Sequence, residues 1–141
     1  EGGIFGALWG MAEGAGVDGI IMNKTTADIY NPKVVRSTMG SIFRVPFIYT
    51  AKLQETLAML KSRGILLYAA HLQGEKWYFH ENYRKPSAFL IGNEAHGLTD
   101  ETAAMADTFV KIPMEGRVES LNAAIAATIL MYEAKRQRMC D

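Results

Sequence analysis

Cysteine is all but absent from this 141-residue chain: Cys140 stands alone beside the C-terminus. No intrachain disulfide or cysteine metal cluster can therefore form, and the expected reading is a surface thiol in a cytoplasmic, reducing setting. Net charge is absent too, with 15 Lys and Arg against 15 Asp and Glu. No overall positive field draws in a polyanion, so any nucleic-acid contact must come from a local patch or from sequence outside this chain. No apolar run approaches the ~20 residues that cross a bilayer, and the N-terminus lacks a secretory pattern, so no membrane association is expected. A dinucleotide fingerprint is also missing. Gly2-Gly3-Ile4-Phe5-Gly6 does not fit G-x-G-x-x-G after a strand, which counts against a nicotinamide-dependent dehydrogenase. No repeat, low-complexity tract or linker divides the chain, so residues 1–141 read as a single domain. It opens on Glu1 rather than Met, and upstream sequence is expected.

What is present alternates. Apolar runs bounded by turn residues recur between amphipathic stretches, the pattern of an α/β domain with a mostly parallel sheet flanked by helices on both faces. Val17 to Met22 reads as a strand after the Gly16 break, Pro32 to about Ile42 as a helix with a first-turn proline, and Phe47 to Tyr49 as a short strand. Lys52 to Arg63 carries Leu53, Leu57 and Leu60 at helical spacing, and Gly64 stops it. Ile65 to Ala70 and Ala88 to Ile91 are near-continuous apolar runs, read as the centre of the sheet. Between them, His71 to Lys85 is polar and aromatic and is expected to cover something. Thr99 or Asp100 can cap a short helix, Phe109 to Ile112 is a further strand, and a helix rich in alanine runs from near Ser120 to Arg136.

Two strings near the end carry candidate chemistry: Phe89 to Leu98 and Ile112 to Asn122. Each joins an apolar strand to small, polar and glycine residues where the strand ends, and ligands in parallel sheets settle outside those ends. Gly92 and Gly97 bracket a turn whose backbone a ligand can approach closely. Glu94 inside that turn is either a carboxylate directed into a cleft or a turn cap paired to a nearby cation. Ser120 is placed to cap the last helix, and Asn122 offers both a donor and an acceptor to a ligand or to a neighbouring loop.

These strings, with Tyr30-Asn31-Pro32-Lys33-Val34-Val35-Arg36-Ser37-Thr38-Met39-Gly40-Ser41, resemble the SPOUT-class RNA 2′-O-ribose methyltransferases of the TrmH-like (SpoU) family, and the resemblance spans nearly the whole chain. It implies a C-terminal trefoil knot, an exception to the rule that chains do not thread their own loops. It further implies that S-adenosylmethionine lies against Ala69, Ala70, Ile91, Gly92, Ile112, Met114 and Leu121. By the same resemblance, Glu94, Ser120 and Asn122 line the catalytic end of the pocket. The implied partners are RNA, ribosomal RNA ahead of transfer RNA, and a second copy of the chain in a homodimer whose first and last helices cross. The chemistry needs no metal, since the sulfonium carbon is already an activated electrophile. An N-terminal RNA-binding domain is expected outside these residues.

One motif departs from the family. Its first motif carries an Asn and then an Arg, and alignment sets Ile4 at the Asn and Gly10 at the Arg. The arginine is thought to assist removal of the ribose 2′-OH proton, although a guanidinium normally holds its proton to a pKa above about 12. Three explanations stay open: Arg36, Arg117 or an upstream domain supplies the charge; the N-terminal segment is altered; or the domain is a catalytically lapsed dimeric module that binds S-adenosylmethionine and RNA. Arg36 is the first replacement to test.

Overall fold

The computed structural model describes residues 14–23, 44–71, 74–92, 97–115 and 123–140. The expected Pro32 helix lies outside them. The chain divides into two compact units, residues 1–53 and 54–141.

In the first unit, β1 (Ile20–Asn23) pairs in parallel with β2 (Phe47–Thr50), Ile20 opposite Phe47. β1 starts three residues later than the sequence suggested. The ladder opens where the Ile20 N–H donates to the Pro46 carbonyl at 2.9 Å, and Pro46 itself has no N–H with which to extend it backwards.

The second unit holds a four-stranded, wholly parallel sheet in the order β4-β6-β3-β5, from β3 (Leu66–Ala70), β4 (Lys76–Trp77), β5 (Ser87–Leu90) and β6 (Thr108–Lys111). Helix α1 (Leu53–Ser62) leads into it and buries Leu57. It ends as expected at Gly64, whose φ of 82° is the left-handed conformation of a glycine cap; Gly64 N–H donates to Lys61 and Ile65 N–H to Leu60, capping the last carbonyls. Asp107 ties the start of β6 to β3, its carboxylate accepting from Leu67 N–H at 2.7 Å while its own N–H donates to the Leu67 carbonyl. Thr99 caps the four-residue helix α2 (Asp100–Ala103) through Thr102 N–H.

Expectation and structure part company at the sheet's centre. β3 is interior, but Ser87–Leu90 ends the ladder, and the other interior strand is β6. β6 stops at Lys111, one residue before the expected Ile112, because Pro113 cannot donate to a neighbour. The segment from His71 to Lys85 is more than a cover. It contains β4 and a 3₁₀ turn, Tyr78–His80, so that the chain leaves β3, steps across β6 and resumes in the same direction as β4. The crossing is close. His71 N–H donates to the Val110 carbonyl at 3.0 Å, and a Cβ on Gly74 would lie 2.9 Å from the Val110 carbonyl carbon and 3.1 Å from Lys111 N. Only glycine fits over that backbone.

One face of the sheet packs under the last helix, α3 (Ala123–Met139), around Tyr68, Tyr83, Val110, Leu130 and Ala134. On the other face Leu67, Ala69 and Leu90 are buried too. The Tyr83 ring meets Tyr68 edge-on at 4.9 Å and Phe89 at 5.2 Å. α3 runs three residues past the expected Arg136 because its last turn is anchored to the segment before β5. The Gln137 amide accepts from Tyr83 N–H at 2.7 Å and donates to the Glu81 carbonyl at 2.8 Å, and Arg138 donates to the Tyr83 carbonyl at 3.1 Å.

Glu133 is buried beside this anchor. Both its oxygens accept from Arg136, at 2.8 and 2.9 Å, and one also accepts from Gln137. Hydrogen bonding from Arg136 is the main cause holding its carboxyl below the ordinary value of 4.5, and burial opposes it. A carboxyl lowered in the folded state contributes stability that is fully present above its unfolded pKa and is lost as pH falls through the folded one. Glu133→Gln is therefore expected to be less stable at neutral pH and to lose less between about pH 6 and pH 3 than wild type, as read from urea midpoints; parallel acid losses would refute it.

Candidate functional site

Three strand ends meet at one edge of the sheet. Register sets Ala69 opposite Leu90 and Ala70 opposite Val110, so Ile91 and Gly92 continue from β5 at the level of Ala70 and just beyond, and Ile112 emerges from β6 two residues past Val110. With strands about 4.8 Å apart, the three segments fall within roughly 10 Å of one another. Ala69, Ala70, Ile91, Gly92, Ile112 and Met114, the described candidates for cofactor binding, thus converge at the carboxyl end of adjacent parallel strands. This is where α/β sheets hold ligands.

Their side chains are partly committed elsewhere. Ala70 and Ile91 pack against the Tyr68–Tyr83–Leu130 cluster, and Ala69 is fully buried. What remains to face a ligand here is peptide groups together with the half-buried Ile112 and Met114. Gly92 sets the shape of this edge, since a Cβ there would sit 2.2 Å from the Gly97 carbonyl carbon and 2.3 Å from Leu98 N. The two ends of the turn therefore touch backbone to backbone. Gly97 closes the turn at φ 65°, the left-handed conformation foreseen for one of the bracketing glycines. Gly92 is constrained by contact instead.

Glu94, Ser120, Leu121, Asn122 and Arg36, as well as Ile4, Gly10 and Arg117, lie outside the described residues. Sequence reasoning passed over Gly74 and Gln137. A lone glycine in a polar stretch was the only signal for the first, and nothing marked the second, whose role depends on a fold-level contact with Tyr83. A groove of about 490 Å³, lined by His71, Glu75, Lys76, Asp107 and Phe109 among others, opens beside β4 and β6 and includes none of the candidate cofactor residues.

The sequence profile of the SpoU rRNA Methylase family matches residues 5–132. The chain belongs to that family. The chain is 37% identical over 142 aligned residues to the 23S rRNA (uridine(2479)-2′-O)-methyltransferase of Streptomyces viridochromogenes, covering 97% of this chain and 50% of that protein. It is 44% identical over 88 residues to the tRNA (guanosine(18)-2′-O)-methyltransferase of Thermus thermophilus, covering 62% of this chain and 45% of that one. Among solved structures, AviRb of Streptomyces viridochromogenes in complex with AdoMet superposes with a TM-score of 0.92 at 36% identity, covering 100% of this chain and 58% of that one. An AdoMet-bound rRNA methyltransferase from Sinorhizobium meliloti gives 0.88 at 36% identity, over 96% and 52%. The SpoU chain thus spans about half the length of the curated relatives it matches.

Proposed function

We propose that this chain is the catalytic domain of an S-adenosylmethionine-dependent RNA 2′-O-ribose methyltransferase acting on ribosomal RNA. The observation that carries the reading is the convergence of Ala70, Gly92 and Ile112 on adjacent strand ends in a member of the SpoU family. Apolar side chains and strand-end peptide groups suit an adenine ring and a thioether-like chain, which are read by backbone rather than by charge. Ala69, Ala70, Ile91, Gly92, Ile112, Met114 and Leu121 would hold the cofactor, which when bound supplies an electrophilic methyl carbon. Glu94, Ser120 and Asn122 would orient the ribose and its 2′-hydroxyl, and a cation would favour loss of its proton. Ribosomal RNA is put ahead of transfer RNA because the family profile is that of an rRNA methylase and a 23S rRNA methyltransferase aligns over 97% of this chain at 37% identity.

Three further features belong to this reading. A trefoil knot is supported by β6 lying between β3 and β4 while the chain joining them passes over its backbone at Gly74. A homodimer is supported by Ile125, Tyr132 and Met139, large apolar side chains exposed on α3 at seven-residue spacing, a stripe suited to a second helix. A cytoplasmic site of action suits an RNA substrate and the free, exposed Cys140. An N-terminal RNA-binding domain outside these residues belongs to the same proposal.

The test is calorimetric titration with S-adenosylmethionine followed by transfer of labelled methyl to bulk RNA and nucleoside analysis. Saturable binding with 2′-O-methylnucleoside is expected. Binding without transfer selects the lapsed module that Gly10 allows, and no binding overturns both. If Arg36 fills the vacant motif role, Arg36→Ala lowers transfer by about 10²–10⁴-fold with cofactor affinity unchanged. Unchanged transfer passes the role to Arg117 or to sequence outside this chain.

A further inference from the structure

Beside the proposed cofactor edge, the sheet shows aromatic rings that the core does not use. Within β6, Phe109 and Lys111 alternate with buried Val110, so they face away from α3. Lys111 is the register partner of Trp77, and its ammonium sits 5.2 Å from the Trp77 ring centre. Trp77 and Phe79, two residues apart, hold their rings parallel within 4°, with centroids 6.4 Å apart. His71 stacks on Phe109 at 5.1 Å and 17°. Tyr78 between the parallel pair turns the other way, against the core, and its carbonyl accepts from the Tyr83 hydroxyl. Phe109, Trp77 and Phe79 remain 36%, 39% and 43% exposed.

We propose that this row, His71–Phe109 and Trp77–Phe79 with Lys111 between, is a stacking platform for unpaired RNA bases flanking the methylated ribose. The inference rests on the RNA methyltransferase reading and adds to it the surface that holds the substrate. Two further observations favour unpaired bases over a duplex. The chain carries no net charge, and two lysines on this side are already paired with acids, Lys76 with Glu81 at 3.9 Å and Lys61 with Asp107 at 3.5 Å, while Glu75 shares the groove with His71 and Phe109. Phosphate contacts alone therefore supply little affinity, whereas base–aromatic stacking is tolerant of sequence and needs only exposed ring faces. Position agrees as well. Lys111 immediately precedes Ile112, so the platform begins one residue from the proposed cofactor edge.

The chain has two tryptophans, so a Trp9→Phe background leaves Trp77 as the sole fluorescent reporter. Titrating this 141-residue chain with a 12-nucleotide unstructured RNA is expected to quench Trp77, and a 12-base-pair duplex is expected to leave it unchanged. Trp77→Ala and Phe79→Ala should each weaken the single-stranded complex by roughly 5- to 100-fold. Trp77→Phe should restore most of that loss, and calorimetric affinity for S-adenosylmethionine should not change. A Trp77→Ala/Phe79→Ala double variant that binds the oligonucleotide as wild type does, in a chain that still binds S-adenosylmethionine, overturns the platform alone. The platform also falls if the substitutions shift sedimentation toward monomer while oligonucleotide affinity holds, since the surface is then a contact between copies. A wild-type chain that binds neither S-adenosylmethionine nor RNA overturns the underlying reading with it.

Discussion

Replacing Gly92 with alanine is expected to abolish measurable S-adenosylmethionine binding, while Gly97→Ala only weakens it. The two glycines bracket the same turn but are required for different reasons. At Gly92 the new methyl would fall 2.2, 2.3 and 2.7 Å from the Gly97 carbonyl carbon, Leu98 N and the Gly97 Cα. All three are backbone atoms, so no side chain can swing aside, and the turn must open by about an ångström or more to reach ordinary contact. That displaces the peptide groups proposed to read the cofactor. At Gly97 a methyl meets nothing within 4 Å, and the obstacle is φ at 65°. A left-handed alanine costs about 1–2 kcal/mol, which the turn can tolerate. Calorimetry on both variants, with urea melts to check folding, separates the cases: a loss of at least about 100-fold for Gly92→Ala against at most about 30-fold for Gly97→Ala, the latter being that strain expressed as an affinity. A Gly92→Ala chain that binds normally would mean that this turn is not part of the socket.

The difference between those glycines marks what the sequence could and could not reveal. That Phe89 to Leu98 ends a strand in a tight turn was legible, since apolar residues running into Gly-x-x-x-x-Gly leave few other readings. Which glycine was forced by φ and which by contact was not, because a backbone-to-backbone approach leaves no trace in composition. The same limit explains the sheet. Ile65 to Ala70 and Ala88 to Ile91 read as buried strands, and both are strands. Lys76–Trp77 carries no such pattern, because two residues on an edge have no alternation to display. Its insertion beyond β6 therefore moved the centre of the sheet. The placing of Gly92 and Ile112 on either side of Ala70 also follows from strand order, which local periodicity does not encode, so that geometry was not legible in the sequence and the site's membership rests on family resemblance. Glu94, Ser120, Leu121 and Asn122 stay as proposals from that resemblance.

Tyr83→Ala is expected to give the largest loss of stability, about 3–5 kcal/mol from the emptied core position alone. The ring is fully buried, touches Tyr68 and Phe89, and its hydroxyl donates to the Tyr78 carbonyl. Burial, with the Glu81 carboxylate adding to it, pushes the phenol well above its ordinary range. Gln137→Ala attacks the same segment from the helix side and takes the Gln137 partner from the Tyr83 N–H and the Glu81 carbonyl, at about 1–3 kcal/mol for the buried Tyr83 N–H. Because both substitutions free residues 81–83, the double variant is expected to lose less than the sum of the single losses, in contrast to pairs of distant sites, which add. Chemical denaturation of the four proteins in the cycle measures this directly, and strict additivity would show that helix and ring hold the segment independently. The coupling bears on the site, because this segment feeds β5, whose end carries Ile91 and Gly92. A chain loosened at Tyr83 should therefore recover part of its lost midpoint when S-adenosylmethionine is present in excess, as binding to the folded state alone requires.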